Sequence, residues 1–148
     1  MNTKLLLIFL SVFLLQCKSN RVRESDRSAI SLENTHWRLV EVNGEPVVTP
    51  VNGREVYMVL SREGDVRRLS GHAGCNGLGG DYELNGNTIS FQVITTRMYC
   101  ELQMKTENQF TQMLSAADRY DLHGTRLELY DGNVLLGKFE AAESSRSE

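Results

Sequence analysis

Apolar and polar positions alternate in twos along most of the chain, the period of strands with one buried face. "HWRLVEVNG", around Trp37, Leu39 and Val42, ends in Asn43-Gly44, a strong hairpin signal. "EVYMVL", Glu55 to Leu60, is rich in β-formers, and "SREGD" then turns the chain into a strand from Val66 to Ser70. "DYELNGNTISFQV" places Tyr82 and Leu84 before an Asn85-Gly86 turn and Ile89, Phe91 and Val93 after it. "TRLELYDGNVLLGKF" repeats the device around Asp131-Gly132.

One segment departs from this rhythm. In "ELQMKTENQFTQMLSAAD", residues 101 to 118, Phe110, Met113, Leu114 and Ala117 fall at i, i+3, i+4 and i+7. That spacing predicts an amphipathic helix with one buried stripe, and Met104 is placed to extend it. The expected fold is therefore α+β: a strongly curved antiparallel β-sheet wrapped around one main α-helix.

The chain begins differently. "LLLIFLSVFLL" is an apolar run of 11 residues from Leu5 to Leu15 behind a short start carrying Lys4. It is too short to span a bilayer and has the length of a secretory signal core. "LLQCKSN" follows, and this resembles a bacterial lipoprotein signal, with Gln16 standing where a small residue is usual. The resemblance implies cleavage after residue 16 and acyl chains, palmitate among them, on Cys17. Secretion of a soluble protein is the alternative. Two or more acyl chains hold a protein firmly to a membrane, where one does not.

Residues 17–31 then read as the attachment point and a polar tether with few apolar side chains to offset ordering entropy. Fourteen coil residues have a root-mean-square reach of roughly 20 Å. The expected domain covers residues 32–140, and "AAESSRSE", residues 141–148, reads as a frayed tail. A domain of this size holds a single core. From Leu32 to Glu148 there are 11 basic and 17 acidic side chains, a net of −6. That balance argues against nucleic acid, which needs a basic face.

The chemistry on offer is concentrated in "SGHAGCNGLGG", Ser70 to Gly80. A phosphate cradle needs Lys-Ser/Thr after its last glycine, and Asp81-Tyr82 stands there instead. A dinucleotide fingerprint fails because Tyr82 occupies the third glycine position. His72 and Cys75 have an H-x-x-C spacing that Cys100 could complete as a metal site, yet no second close pair exists for a structural zinc, and His36 and His123 lie far off in sequence. Cys100, just ahead of the helix and near Arg97, could be an activated thiol, although no C-x-x-C pair accompanies it. No G-x-S-x-G elbow supports serine hydrolysis. No cofactor is expected.

Cysteine parity favours another use. If Cys17 carries lipid, Cys75 and Cys100 remain as an even pair in an oxidising compartment. Joining them would stabilise the fold by about 3.5 kcal/mol on a chain-entropy model. The glycines would then let the chain bulge and turn so that the sulfurs meet.

"SGHAGCNGLGGDY", then "TTRMYC", then "ENQFTQML" together resemble the META domain of the HslJ-like envelope proteins. Trp37 matches the tryptophan that opens that domain. Cys75-Asn76 matches its Gly-Cys-Asn core, and Thr96, Met98 and Cys100 match its Thr-x-Met-x-Cys motif. Tyr99 stands where the family often has alanine. The resemblance implies a sheet around a helix, like that of small lipoproteins that pilot secretion machinery and hold acyl chains. It further implies an envelope lipoprotein linked to heat or antibiotic stress, with no established catalytic activity. The expected role is a non-enzymatic binding or structural module, tied by N-terminal lipid to the outer membrane and facing the periplasm. Its partner would be an envelope protein or an apolar small molecule. The competing expectation is a thiol-dependent redox protein using Cys75 and Cys100.

Overall fold

A computed structural model describes residues 30–51 and 53–142. The expected signal peptide, Cys17 and nearly all of the tether and tail lie outside the described residues. Nine strands and one helix follow in order: β1 (His36–Val42), β2 (Glu45–Pro46), β3 (Val56–Glu63), β4 (Val66–Ala73), β5 (Gly77–Asn85), β6 (Thr88–Thr95), α1 (Met104–Ala116), β7 (Arg119–His123), β8 (Arg126–Asp131) and β9 (Val134–Ala141). Ile30 already packs on the core, and β9 pairs as far as Ala141 opposite Trp37, so order runs slightly past both expected boundaries.

Asn43-Gly44 forms the β1–β2 turn, both residues having positive φ (51° and 78°). The turns expected at Asn85-Gly86 and Asp131-Gly132 fall one residue later. The central pairs are Gly86-Asn87 and Gly132-Asn133, with the glycine first (φ 61° and 56°), the arrangement of II′ turns. The register explains the shift. It sets Leu84 opposite Ile89 and Tyr82 opposite Phe91, where the earlier turn would have set Leu84 against polar Asn87.

All pairings are antiparallel, and the order is β2-β1-β3-β4-β5-β6-β7-β8-β9 with β1 also paired to β9. The expected curved sheet is thus present, and its curvature carries through to closure: β1 bonds to β3 through His36–Arg38 and to β9 through Trp37–Val42. Closure leaves few unpaired strand edges. The weak point is between β6 and β7, which share only Thr88↔Arg119. Helix α1 packs mainly along β6 and also touches β4 and β1.

The helix buries Glu107, Phe110, Met113 and Leu114. Phe110 meets Phe139 of β9 with ring centroids 6.1 Å apart. Gly137 of β9 has no side chain because the Met113 sulfur occupies that space. Trp37, Met58, Leu60, Phe110, Leu114 and Phe139 are fully enclosed. Burial of each such side chain is worth about 1.5–3 kcal/mol. The barrel is packed solid.

Its two ends differ. Residues 31–34 close one of them: Trp37 Nε1 donates to the Leu32 carbonyl (2.9 Å), Asn34 N to the Leu60 carbonyl (2.7 Å), and the Tyr82 hydroxyl to Glu33 (2.6 Å). Burial, then the bond to Glu33, pushes the Tyr82 phenol well above its ordinary range. The β4–β5 connection closes the other end, since Ala73 sits opposite Val56 while His36 sits opposite Val59. The chain therefore enters the domain at the end remote from the cysteines.

Candidate functional site: the disulfide-braced end

Most of the Ser70–Gly80 segment is strand rather than loop. β4 runs to Ala73, β5 starts at Gly77, and only Gly74, Cys75 and Asn76 form the tip. Two glycines are needed where strands approach closely: a Cβ at Gly71 would strike the Tyr57 carbonyl, and one at Gly80 the Gln92 carbonyl. The tip is held by Ala73 N–H donating to the Asn76 carbonyl (2.8 Å).

Cys75 and Cys100 are disulfide-bonded, with Cα atoms 5.7 Å apart and a sequence separation of 25. That span lies within the ordinary range for the bond. It clamps the segment after β6 onto the β4–β5 tip. With both sulfurs in one bond, neither thiolate is available to the H-x-x-C site considered above. His36 stacks on Tyr57 (4.1 Å) and bonds Glu55 (2.7 Å).

Beside the disulfide, Asn76 is 2% exposed and fully bonded. Its Nδ2 donates to Glu107 Oε1 (2.7 Å) and the Met98 carbonyl (3.0 Å). Its Oδ1 accepts from Met98 N–H (2.7 Å) and the Thr96 hydroxyl (2.9 Å). Its backbone N–H donates to Glu107 Oε2 (2.8 Å). The Thr96 oxygen in turn accepts from Gly77 N–H (3.1 Å). An asparagine has two donors and an acceptor with two lone pairs, and here all four are used. A satisfied network is what makes burial of so many polar groups tolerable.

Glu107, 5% exposed, is the member that sequence reasoning missed. A signal was present, because position 107 is three before Phe110 and seven before Leu114. A carboxylate on the apolar stripe of a helix needs a buried partner, and Asn76 supplies it. Thr96 and Met98 of the Thr-x-Met-x-Cys motif serve the same hub, Met98 through its backbone while its side chain is 62% exposed. Tyr99 is 81% exposed, so its bulk adds to the surface and not to packing.

His72 is buried, and its Nδ1 accepts from Gly74 N–H (3.1 Å), which leaves the proton on Nε2. Burial holds this imidazole below its ordinary pKa of 6.5, the nearby Arg54 charge adds to the effect, and Glu107 partly opposes it. His72 borders a cavity of about 380 Å³ together with Arg54, Thr96, Met98, Cys100 and Gln103. Two neighbours of about 360 and 230 Å³ flank it, the first lined by Arg97, Met98 and Tyr99, the second by Val51, Cys100 and Leu102. A larger trough of about 590 Å³ runs along β4, β5 and β6 between charged side chains such as Arg68, Asp81 and Glu83, and neither cysteine, nor Asn76, nor Glu107 borders it.

A closed antiparallel barrel, packed with one helix and braced at one end by a disulfide and an asparagine hub, defines the class. The META domain family model matches residues 30–143, and the chain belongs to that family. An NMR structure of a protein from Burkholderia xenovorans is 25% identical with a TM-score of 0.61, covering 76% of this chain and 84% of that one. A second NMR structure, 20% identical with a TM-score of 0.57, covers 75% and 95% and shares the fold. No curated protein matches the chain.

Proposed function

We propose that this META-domain protein is a non-enzymatic envelope lipoprotein, anchored through Cys17 to the outer membrane, whose domain binds a protein partner in the periplasm during envelope stress. The observation that carries the reading is how the family motifs are used. Cys75, Asn76, Thr96, the Met98 backbone and Cys100 bond to one another and to Glu107, so their bonding capacity goes into bracing the barrel end. Residues committed in this way are poor candidates for a catalytic cycle. A solid interior, with Phe110 and Phe139 at its centre, disfavours an acyl chain held inside the barrel and favours a ligand on the surface. The chain entry at Ile30 is remote from the disulfide, so a tethered domain would present the braced end away from its attachment point.

Fractionation tests the anchor. Cys17→Ser is expected to move the protein from membranes to the soluble fraction, and a variant that still sediments with membranes contradicts the lipoprotein reading. The alternative, a thiol-dependent redox protein, draws on the partial exposure of Cys100. It requires a readily reduced disulfide.

A further inference from the structure

The cavity beside the disulfide has a composition unusual for this acidic protein. Arg54, His72 and Gln103 are its polar nitrogen-bearing walls, and no carboxylate lines it. Arg54 is exposed and forms no ion pair among the described residues, unlike Arg38, Arg68 and Arg119. Gln103 also borders the cavity, but its Nε2 is sealed from solvent against Gly53, where a Cβ would lie 2.6 Å from it, so the amide nitrogen is part of the packed wall. The His72 tautomer set by Gly74 leaves an Nε2 proton as a further donor. This cavity thus offers two kinds of N–H donor, one of them charged, and carboxylates border only its neighbours, Glu101 in one and the hydrogen-bonded Glu107 in the other.

The surroundings say what the rest of the ligand is. Val51 (92%), Leu102 (83%), Tyr99 (81%) and Met98 (62%) are exposed apolar side chains around this cavity and its two neighbours. An apolar cluster of this kind on a soluble domain marks an interaction site. The flanking concavities share no lining residue with each other, and each has the size of one or two side chains.

We infer that the disulfide-braced end captures the C-terminal carboxylate of a partner protein, with Arg54 and the His72 Nε2–H holding the carboxylate and the Val51–Leu102 and Met98–Tyr99 concavities taking the last apolar side chains. Donor-lined capture of a chain terminus is a known mode of peptide recognition. Complementarity of charge selects a carboxylate, and the divided apolar surface selects peptide side chains over a long acyl chain. The disulfide holds both walls, since Cys100 borders two of the three concavities. This rests on the binding-module reading and gives it a place and a ligand chemistry.

The test uses the full-length protein and fluorescein-labelled hexapeptides with valine, leucine or phenylalanine at the last two positions, made as free acids and as C-terminal amides. Fluorescence polarisation is expected to show the acids binding about tenfold more tightly than the amides, the scale of one charged hydrogen-bonded contact. Arg54→Gln should remove that preference without altering thermal unfolding, and Leu102→Ser should weaken acids and amides alike. Equal binding of acid and amide, a preference that survives Arg54→Gln, or no binding of any acid overturns the inference. Laurate binding through Arg54 without any peptide binding also overturns it, by making the occupant an acyl chain. If the site fails while envelope capture recovers the same partner with wild type and Arg54→Gln, the binding module stands and only this location falls.

Discussion

Asn76 joins three parts of the chain through one side chain: the β4–β5 tip, the segment after β6, and the helix through Glu107. Removing its side chain leaves one oxygen of the buried Glu107 carboxylate and the backbone groups of Met98 without these partners, each costing about 1–3 kcal/mol, while the backbone N–H at position 76 still reaches Glu107. Asn76→Ala is therefore expected to lower unfolding free energy in urea by roughly 3–5 kcal/mol, since the losses overlap. Glu107→Gln keeps the shape but turns an amide donor toward an Asn76 donor, and should cost about 1–3 kcal/mol. His72 makes stability depend on pH. Its folded-state affinity for protons is depressed, so the unfolded chain binds a proton first as pH falls. Its contribution is intact above about 6.5 and is lost as pH drops below that value. His72→Asn retains an acceptor for Gly74 and should flatten the stability profile between pH 7 and 5. At this scale the disulfide was legible, because cysteine parity needs no geometry. Glu107 was not, since a single carboxylate in an amphipathic helix looks like a solvated side chain until its partner is known.

Strands and helix were legible as elements because a period of 2 or 3.6 is a local property of the chain. Their exact joints were not. Asn85-Gly86 and Asp131-Gly132 have the composition of turns centred on those pairs, yet the cross-strand match of Leu84 with Ile89 moved the first of them by one residue. Non-local pairing outweighed local turn chemistry. The glycine of β9 tells a similar story. Gly137 is set by contact with Met113, a residue of the helix, and no reading of β9 alone could reveal it. Gly137→Ala must displace the methionine sulfur or crowd the Glu41 carbonyl (3.0 Å). A loss of about 1–3 kcal/mol is expected, readable as a lowered urea midpoint with an unchanged slope.

Closure of the sheet is a property of the whole molecule. β1 and β9 meet across most of the domain's length, and the alternation in each strand is equally compatible with an open sheet. The sequence therefore reveals curvature in prospect and closure only in the folded chain. One consequence concerns division of labour. The core of Trp37, Phe110, Phe139 and their neighbours is independent of the sulfurs, so the barrel should survive loss of the brace. The disulfide and the Asn76 hub then act together at one end, in keeping with a rigid surface for a partner. What separates this account from a redox protein is how hard the sulfur bridge is to open. Titration of the Cys75–Cys100 pair against glutathione measures that directly. A midpoint below about −300 mV is predicted for a structural bridge. A midpoint within the range of the glutathione pool, with a stable reduced form, would contradict it.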